Sequence, residues 1–481
     1  MKRLILVMSA AIVFAAEAKV QKICEFTLAD QQQVVNAVNK VGEFINNPML
    51  GMSVSALWSL NPVALDGIGA MRADGKLYAA VYVEGYKNGD SIKQLKEENF
   101  HFVALYPASC TKKQFLEIKP DAKETDGVID FSRGIMAAFA EDGKYVAFSD
   151  KPELAKKALT GIAKIPKLPR DRIMSIRVTP AGMNMVCDAI DAANEELMLG
   201  IQQQDMEMLK STTAFTMMCG AGPYGIDMEI NAEYKPGSPA TKLGNKPLSA
   251  AKPLAFAGKD SIFAVALAED SIGIDLSAQL SKLVRFANKW GIETHWLKVE
   301  KIGANTKFIL DLIPFCAYMG TCGEKKIEEL SKKQDEILAD FSKTFDFAAS
   351  TTNPEHGFAY SINGAKFSMD AQSRFNRTLP GYSKKPCTSV GVWSIYGTAK
   401  SVMDIMFSSV AGGKELSDVV KNLPDASGSA IAFATMHNGP CKEKMIIRMN
   451  PAEITGLYSL ISVIMDHSCK DSSCLVDDDE D

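Results

Sequence analysis

Apolar and polar residues alternate along this chain in two periods, one short and one helical. Ile226, Met228, Ile230 and Ala232 alternate with Asp227, Glu229 and Asn231. A period of two predicts a strand with one apolar and one polar face, the polar one wet, as in an antiparallel sheet. Further strands are predicted at 23–28, 100–106, 212–218, 261–267, 296–300, 307–312 and 390–396. Asp30 opens a predicted helix with Val34, Val38, Val41 and Ile45 on its apolar face, and Asn46-Asn47-Pro48 stops it. A long helix is predicted from Pro180 to about Lys210, with Met183, Val186, Cys187, Ile190, Leu197 and Ile201 inward. A charged amphipathic helix is expected over 324–345.

Turn chemistry joins the strands. Asp74-Gly75, Asp142-Gly143, Asn363-Gly364 and Asn438-Gly439 each stand between apolar runs and predict hairpins, because both residue types tolerate positive φ. The first is expected to join 69–72 to 77–83, the second 134–140 to 144–148.

One local unit recurs. Ser175-Ile176-Arg177-Val178-Thr179-Pro180 returns as Ile446-Ile447-Arg448-Met449-Asn450-Pro451, and more loosely as Val146-Ala147-Phe148-Ser149-Asp150-Lys151-Pro152. Each reads as a strand running into a helix with proline at its first position, where the missing N–H costs nothing. Thr179 and Asn450 are the expected N-caps, and Glu453 stands in capping-box register with Asn450. The repetition predicts an α+β fold of two related halves, 19–240 and 254–470, with Arg177 equivalent to Arg448. Each half is expected to be an antiparallel sheet built from hairpins with helices on one face. A Pro/Gly-rich linker, 241–253, separates them, and 471–481 is an acidic tail.

Composition adds a destination. Lys2 and Arg3 precede an apolar run from Leu4 to Ala16, followed by the small-x-small site Ala16-Glu17-Ala18. This is the pattern of a secretory signal peptide over 1–18. Its removal takes the net charge from -5 to -6, since Lys2, Arg3 and Glu17 leave with it. No basic cluster with interleaved aromatics occurs, which argues against nucleic acid as a partner. No second run of about 18 apolar residues suggests a membrane span. The ten cysteines all follow Ala18. In an exported chain they predict disulfides, with Cys316–Cys322 and Cys469–Cys474 the favoured pairs.

Catalytic patterns fail on context. Gly220-Ala221-Gly222-Pro223-Tyr224-Gly225 has the letters of a dinucleotide loop, but a strand rather than a helix follows, so a hairpin loop is expected. Ser249-Ala250-Ala251-Lys252 lies in the linker, without the partner motif of penicillin-interactive enzymes. No two of the five histidines stand at helical metal-ligand spacing. His437, Cys441, His467, Cys469 and Cys474 crowd the C-terminal segment, where disulfides compete with zinc. No catalytic, cofactor or metal residue is therefore assigned. The expected function is a non-enzymatic, exported cell-envelope protein that binds a partner protein or small ligand. An envelope hydrolase with a spatially assembled site, or a carrier of an apolar ligand in a methionine-lined groove, is the alternative.

Overall fold

The computed structural model describes residues 20–60, 68–69, 71–87, 94–132, 134–197, 203–242, 247–248, 252–255, 257–259, 261–268, 297–302, 305–311, 357–363, 367–400, 422–425 and 428–473, with a few single positions between them. The protein mixes helix and strand, and antiparallel pairing dominates its sheet. The chain divides into two compact units. Met1–Asn39, Met49–Gly220 and Ile230–Lys235 make the first; Lys40–Pro48, Ala221–Glu229 and Pro236–Asp481 make the second. The expected helix 324–345, the Asn363-Gly364 turn, Ser249–Ala251 and the 1–18 segment lie outside the described residues.

In chain order the first strands are β1 Gln21–Leu28, β2 Leu77–Val83, β3 Phe100–Pro107, β4 Glu124–Thr125, β5 Val128–Ser132, β6 Ile135–Phe139, β7 Tyr145–Ser149, β8 Met174–Val178, β9 Thr212–Gly222 and β10 Gly225–Tyr234. The helices among them are α1 Gln31–Phe44, α2 Leu50–Leu60, α3 Lys112–Ile118, α4 Pro152–Thr160, α5 Pro180–Leu197 and α6 Gln203–Ser211. The predicted 180–210 helix is thus described as two, α5 and α6. In the first unit an antiparallel ladder runs β4-β5-β6-β7-β3-β2-β1-β8-β9. Ala155 of α4 packs on one face against Tyr78, Ala80, Val103, Leu105 and Ala147. On the other face, at the β5–β7 end, Phe115 of α3 closes a cluster with Phe131, Phe139 and Phe148.

The second unit contains β11 Ser261–Leu267, β12 Leu297–Ile302, β13 Asn305–Asp311, β14 Gly357–Asn363, β15 Ser389–Trp393, β16 Ile431–His437 and β17 Lys442–Met449, with α7 Ala371–Thr378 and α8 Pro451–Ser473. Its ladder runs β12-β13-β14-β11-β15-β16-β17, parallel only between β13 and β14. Ala371, Phe375 and Leu379 of α7 seal one face over Ala264, Ala266, Val390, Val392, Ala432, Ala434 and Ile446.

The recurrent strand–proline–helix units form as expected. Pro152, Pro180 and Pro451 begin α4, α5 and α8. The Thr179 hydroxyl oxygen accepts from Gly182 N–H at 3.3 Å, and Asn450 Oδ1 accepts from Glu453 N–H at 3.0 Å. Gly182 is needed where it stands, because a Cβ there would lie 2.1 Å from the Ile23 carbonyl oxygen. The capping box on α8 does not close. Glu453 instead turns its carboxylate to the Ser394 hydroxyl (2.9 Å) and the Tyr396 N–H (2.7 Å), while Asn450 N–H donates to Ala430. Sheet order also differs between the units. β8 lies beside β1, whereas β15 and β16 stand between β17 and β11. The order therefore gives no support to matching Arg177 with Arg448.

Asn450 does more than cap. It is buried and also bonds Ala430 N–H, Thr378 Oγ1 and the Gly428 carbonyl. Thr179→Ala should cost about 1 kcal/mol, the usual worth of a cap. Asn450→Ala should cost ~3 kcal/mol, because buried groups lose their partners as well. Urea unfolding of the two variants tests the difference; equal losses would contradict it.

Two predicted hairpins form, while one turn and one face depart from expectation. The hairpin at Asp142-Gly143 forms between β6 and β7, and that at Asn438-Gly439 between β16 and β17. At Asp74-Gly75 the chain turns, but Met71 bridges Ala108, and β2 pairs with β1 and β3 instead. Two interior strands offer β2 longer ladders than one short neighbour could. The faces of β10 are reversed at its start. Asp227 is buried on Arg448, Glu229 pairs with Lys444 at 2.8 Å, and Ile226 is exposed. The predicted wet polar face is thus the inner one there, because basic residues of β17 neutralise its carboxylates.

Cys24, Cys187, Cys219, Cys387 and Cys441 carry thiols. Of the pairs favoured by spacing, Cys316, Cys322 and Cys474 lie outside the described residues. Peptide mapping without reductant should place bridges within 316–322 and 469–474; alkylation of all ten native cysteines would remove that expectation.

Candidate binding surface

An irregularity in β1 sets up the surface. Lys22 and Cys24 pair across a bulge with consecutive residues of β2, Tyr82 and Val81, leaving Ile23 as the extra residue. A bulge re-aims the side chains that precede it. Lys22 is thereby turned onto the face of Glu25, three positions on, which a regular strand would place opposite. That face is ionic at its centre. Lys22 Nζ lies 2.8 Å from Glu25 Oε2 and 2.9 Å from the Tyr78 hydroxyl, which donates to Glu25 at 2.9 Å. Arg177 approaches the same carboxylate at 3.7 Å. Thr27 and Ser175 are buried in the neighbouring row.

Burial by itself would push the Glu25 carboxyl up, but the Lys22 bond and charge, Tyr78 and Arg177 outweigh it and hold it below the usual range. Burial, opposed by the Lys22 bond and supported by the Glu25 charge, pushes the Tyr78 phenol up to about 12. Glu25 therefore contributes stability above the ordinary glutamate range, and that stability is lost as pH falls through its lowered value. Lys22→Met should destabilise the protein at neutral pH and much less in acid, where Glu25 is protonated. Thermal melts across pH test this; a pH-independent loss would contradict it.

The reverse face of the same strands has the opposite character. Phe102, Val81, Cys24, Val178 and Phe215 stand in register across β3, β2, β1, β8 and β9. Ala104, Ala79, Phe26, Ile176 and Met217 form the next row, and Leu77, Leu28, Met174 and Cys219 a third. Every residue in these rows is apolar, yet none is buried: Val81 is 39% and Phe102 37% exposed, and the others are half-buried. An antiparallel sheet normally turns its polar face to water. Here the polar face is tied up in ion pairs and the apolar one is open. At one edge of the rows, Leu77 and Ala104 pack against the Phe115 cluster.

The surface can do little chemistry. β2, β1 and β8 each pair on both edges, so their N–H and C=O groups are spent in the ladder. Apart from the weakly bonding thiols of Cys24 and Cys219, the rows carry no side-chain donor or acceptor. The corresponding face of the second unit is less uniform. Phe263, Trp393, Ile431, Phe433, Ile447 and Met449 lie on it, but Ser389 and Thr435 interrupt it. Trp393 packs edge-on to Phe263 and donates Nε1–H to Thr398 at 3.2 Å.

The Gly220–Gly225 segment is the hairpin loop that context predicts, with its turn at Pro223-Tyr224. A Cβ on Gly225 would lie 1.8 Å from the Met449 carbonyl, so glycine serves backbone approach rather than a phosphate. His437 lies on β16 opposite Glu443; the side chains of His467, Cys469 and Cys474 fall outside the description. The open apolar face was hidden from sequence reasoning, because it depends on one bulge and four strand registers. The only local signal was the apolar alternation of Cys24-Phe26-Leu28 and Met174-Ile176-Val178. Among the described residues, no helix is long and apolar enough to cross a membrane.

No family model matches the sequence, and no curated protein matches it. Among solved structures, crystal form IV of TP0453 is 10% identical, covering 45% of this chain and 78% of that one with a TM-score of 0.21. Crystal form I of TP0453 is 9% identical, covering 61% and 89% with a TM-score of 0.22, and superpositions of that quality carry no argument about function.

Proposed function

We propose that this protein is an exported, non-enzymatic binding protein that holds an apolar ligand, a lipid acyl chain, on the open sheet face of its first unit. The observation that carries the reading is the three unbroken apolar rows over β3-β2-β1-β8-β9. Large exposed apolar patches mark binding sites. Protein interfaces carry about one hydrogen bond per 100–200 Å², which this face cannot supply. A hydrocarbon chain asks for none. Five strands span about 19 Å at sheet spacing. An acyl chain filling one leaflet of a ~30 Å hydrocarbon core is ~15 Å long, so a row accommodates one chain. The export reading rests on the apolar run 4–16.

Native thiols provide the test. Cys24 and Cys219 lie within the rows, and Cys441 lies in the second unit. Burial raises the first two thiols, so alkylation is run at mildly alkaline pH. Micellar or vesicle phospholipid should slow labelling of Cys24 and Cys219 at least tenfold and leave Cys441 unchanged. Unaltered labelling of Cys24 would sink the proposal.

A further inference from the structure

We propose that Glu84, His101, Asp150 and Lys151 form a proton-operated clasp that pins the end of β3 to β7 and α4 and opens in acid. His101 is buried, 5% exposed, on β3. Its Nδ1 lies 2.5 Å from Asp150 Oδ2 and its Nε2 3.0 Å from Glu84 Oε2. Each contact needs one proton between its two heavy atoms. Lys151, the N-cap of α4, also pairs with Glu84. Tyr82 of β2 stands beside His101, and Lys22 of β1 stands beyond Tyr82 in the same row.

The clasp replaces a missing piece of ladder. Pairing of β3 with β7 stops at Val103 opposite Ser149. The next residue, Phe102, is held by side chains instead: its N–H donates to Asp150 Oδ1 at 3.1 Å, and its carbonyl accepts from the Ser149 hydroxyl at 2.6 Å. Ser149 Oγ in turn accepts from Lys151 N–H at 3.1 Å. Four groups from the end of β2, from β3, from the turn after β7 and from the start of α4 thus meet at one strand end.

The sign of the pH effect follows from Glu84. The Lys151 hydrogen bond, and then that of His101, hold its carboxyl below the usual range. A lowered value means the interaction is present above the ordinary glutamate range and is lost as pH falls through the lowered value. Neutralising Glu84 releases Lys151 and one side of the His101 ring, whose other nitrogen holds Asp150, the acceptor for the Phe102 N–H. Because Phe102 heads the first apolar row, opening would alter that edge of the surface. The inference itself needs no ligand.

Amide hydrogen exchange on the intact protein tests it. Protection of the Phe102 N–H, corrected for intrinsic rate, should fall at least tenfold on acidification through the range below about pH 4.3, while the Ile176 N–H on β8, paired on both edges, stays protected. Lys151→Met removes the largest cause of the lowered value at a side chain that is 39% exposed. It should move the step to higher pH. Asp150→Asn should leave Phe102 unprotected at neutral pH. The proposal is overturned if Lys151→Met leaves the step in place, or if Phe102 and Ile176 lose protection together at every pH. Neither result bears on lipid binding, so the two proposals fail separately.

Discussion

Ile176→Asp should reduce binding of phospholipid acyl chains about 100-fold while the protein stays folded. Ile176 is half-buried in the middle row, between Phe26 and Met217. An aspartate there places a carboxylate beneath the bound chain, and taking an ion out of water costs several kcal/mol. About 3 kcal/mol corresponds to that loss of affinity at 1.4 kcal/mol per tenfold. Without ligand the new side chain reaches water, so the fold should tolerate it. The control is one residue away. Arg177→Ala alters the opposite face, touching Glu25 only at 3.7 Å, and should leave binding unchanged. Titration with a fluorescent phospholipid distinguishes the two; equal affinities for Ile176→Asp and the parent protein would rule out this face.

The largest stability loss is expected from Arg374→Ala. Arg374 is fully buried on α7 beneath the second unit's sheet. Its guanidinium lies 3.8 Å from the centre of the Phe367 ring and donates to the carbonyls of Ser261 and Ser429. Burial lowers it to about 10, with the charges of Glu453 and Asp370 pulling it back up. Glu453 is equally buried, and burial pushes its carboxyl up against four hydrogen bonds that favour the charge. Removing the cation leaves that carboxylate uncompensated. Losing a fully buried side chain of this size together with its hydrogen bonds costs about 3–5 kcal/mol, or ~10 °C in melting temperature for a unit of this size. Glu453→Gln should cost much less, since its amide can still accept from Tyr396 and bond Ser394. Calorimetry on both variants decides it. A loss for Arg374→Ala no larger than for Glu453→Gln would show that the charges do not support one another.

Local chemistry along the chain fixes the features set by neighbours within a few residues. The helices at Pro152, Pro180 and Pro451, the caps at Thr179 and Asn450, and the turns at Asp142-Gly143 and Asn438-Gly439 all stand where local chemistry predicts. Each depends on a bond or a φ angle spanning at most four positions. The α+β class follows from the same signals. Tertiary structure alone decided which face of a strand turns inward. Asp227 is buried because Arg448, 221 residues later, reaches it. Glu453 abandons its capping box because Ser394 and Tyr396 offer it a buried site. The candidate surface belongs to the second kind. Period two says that β1 and β8 each have an apolar side, but not that a bulge at Lys22 gathers the ions behind it. Whether a helix covers a face depends on contacts between distant segments, whose free energies are set by geometry rather than by spacing along the chain.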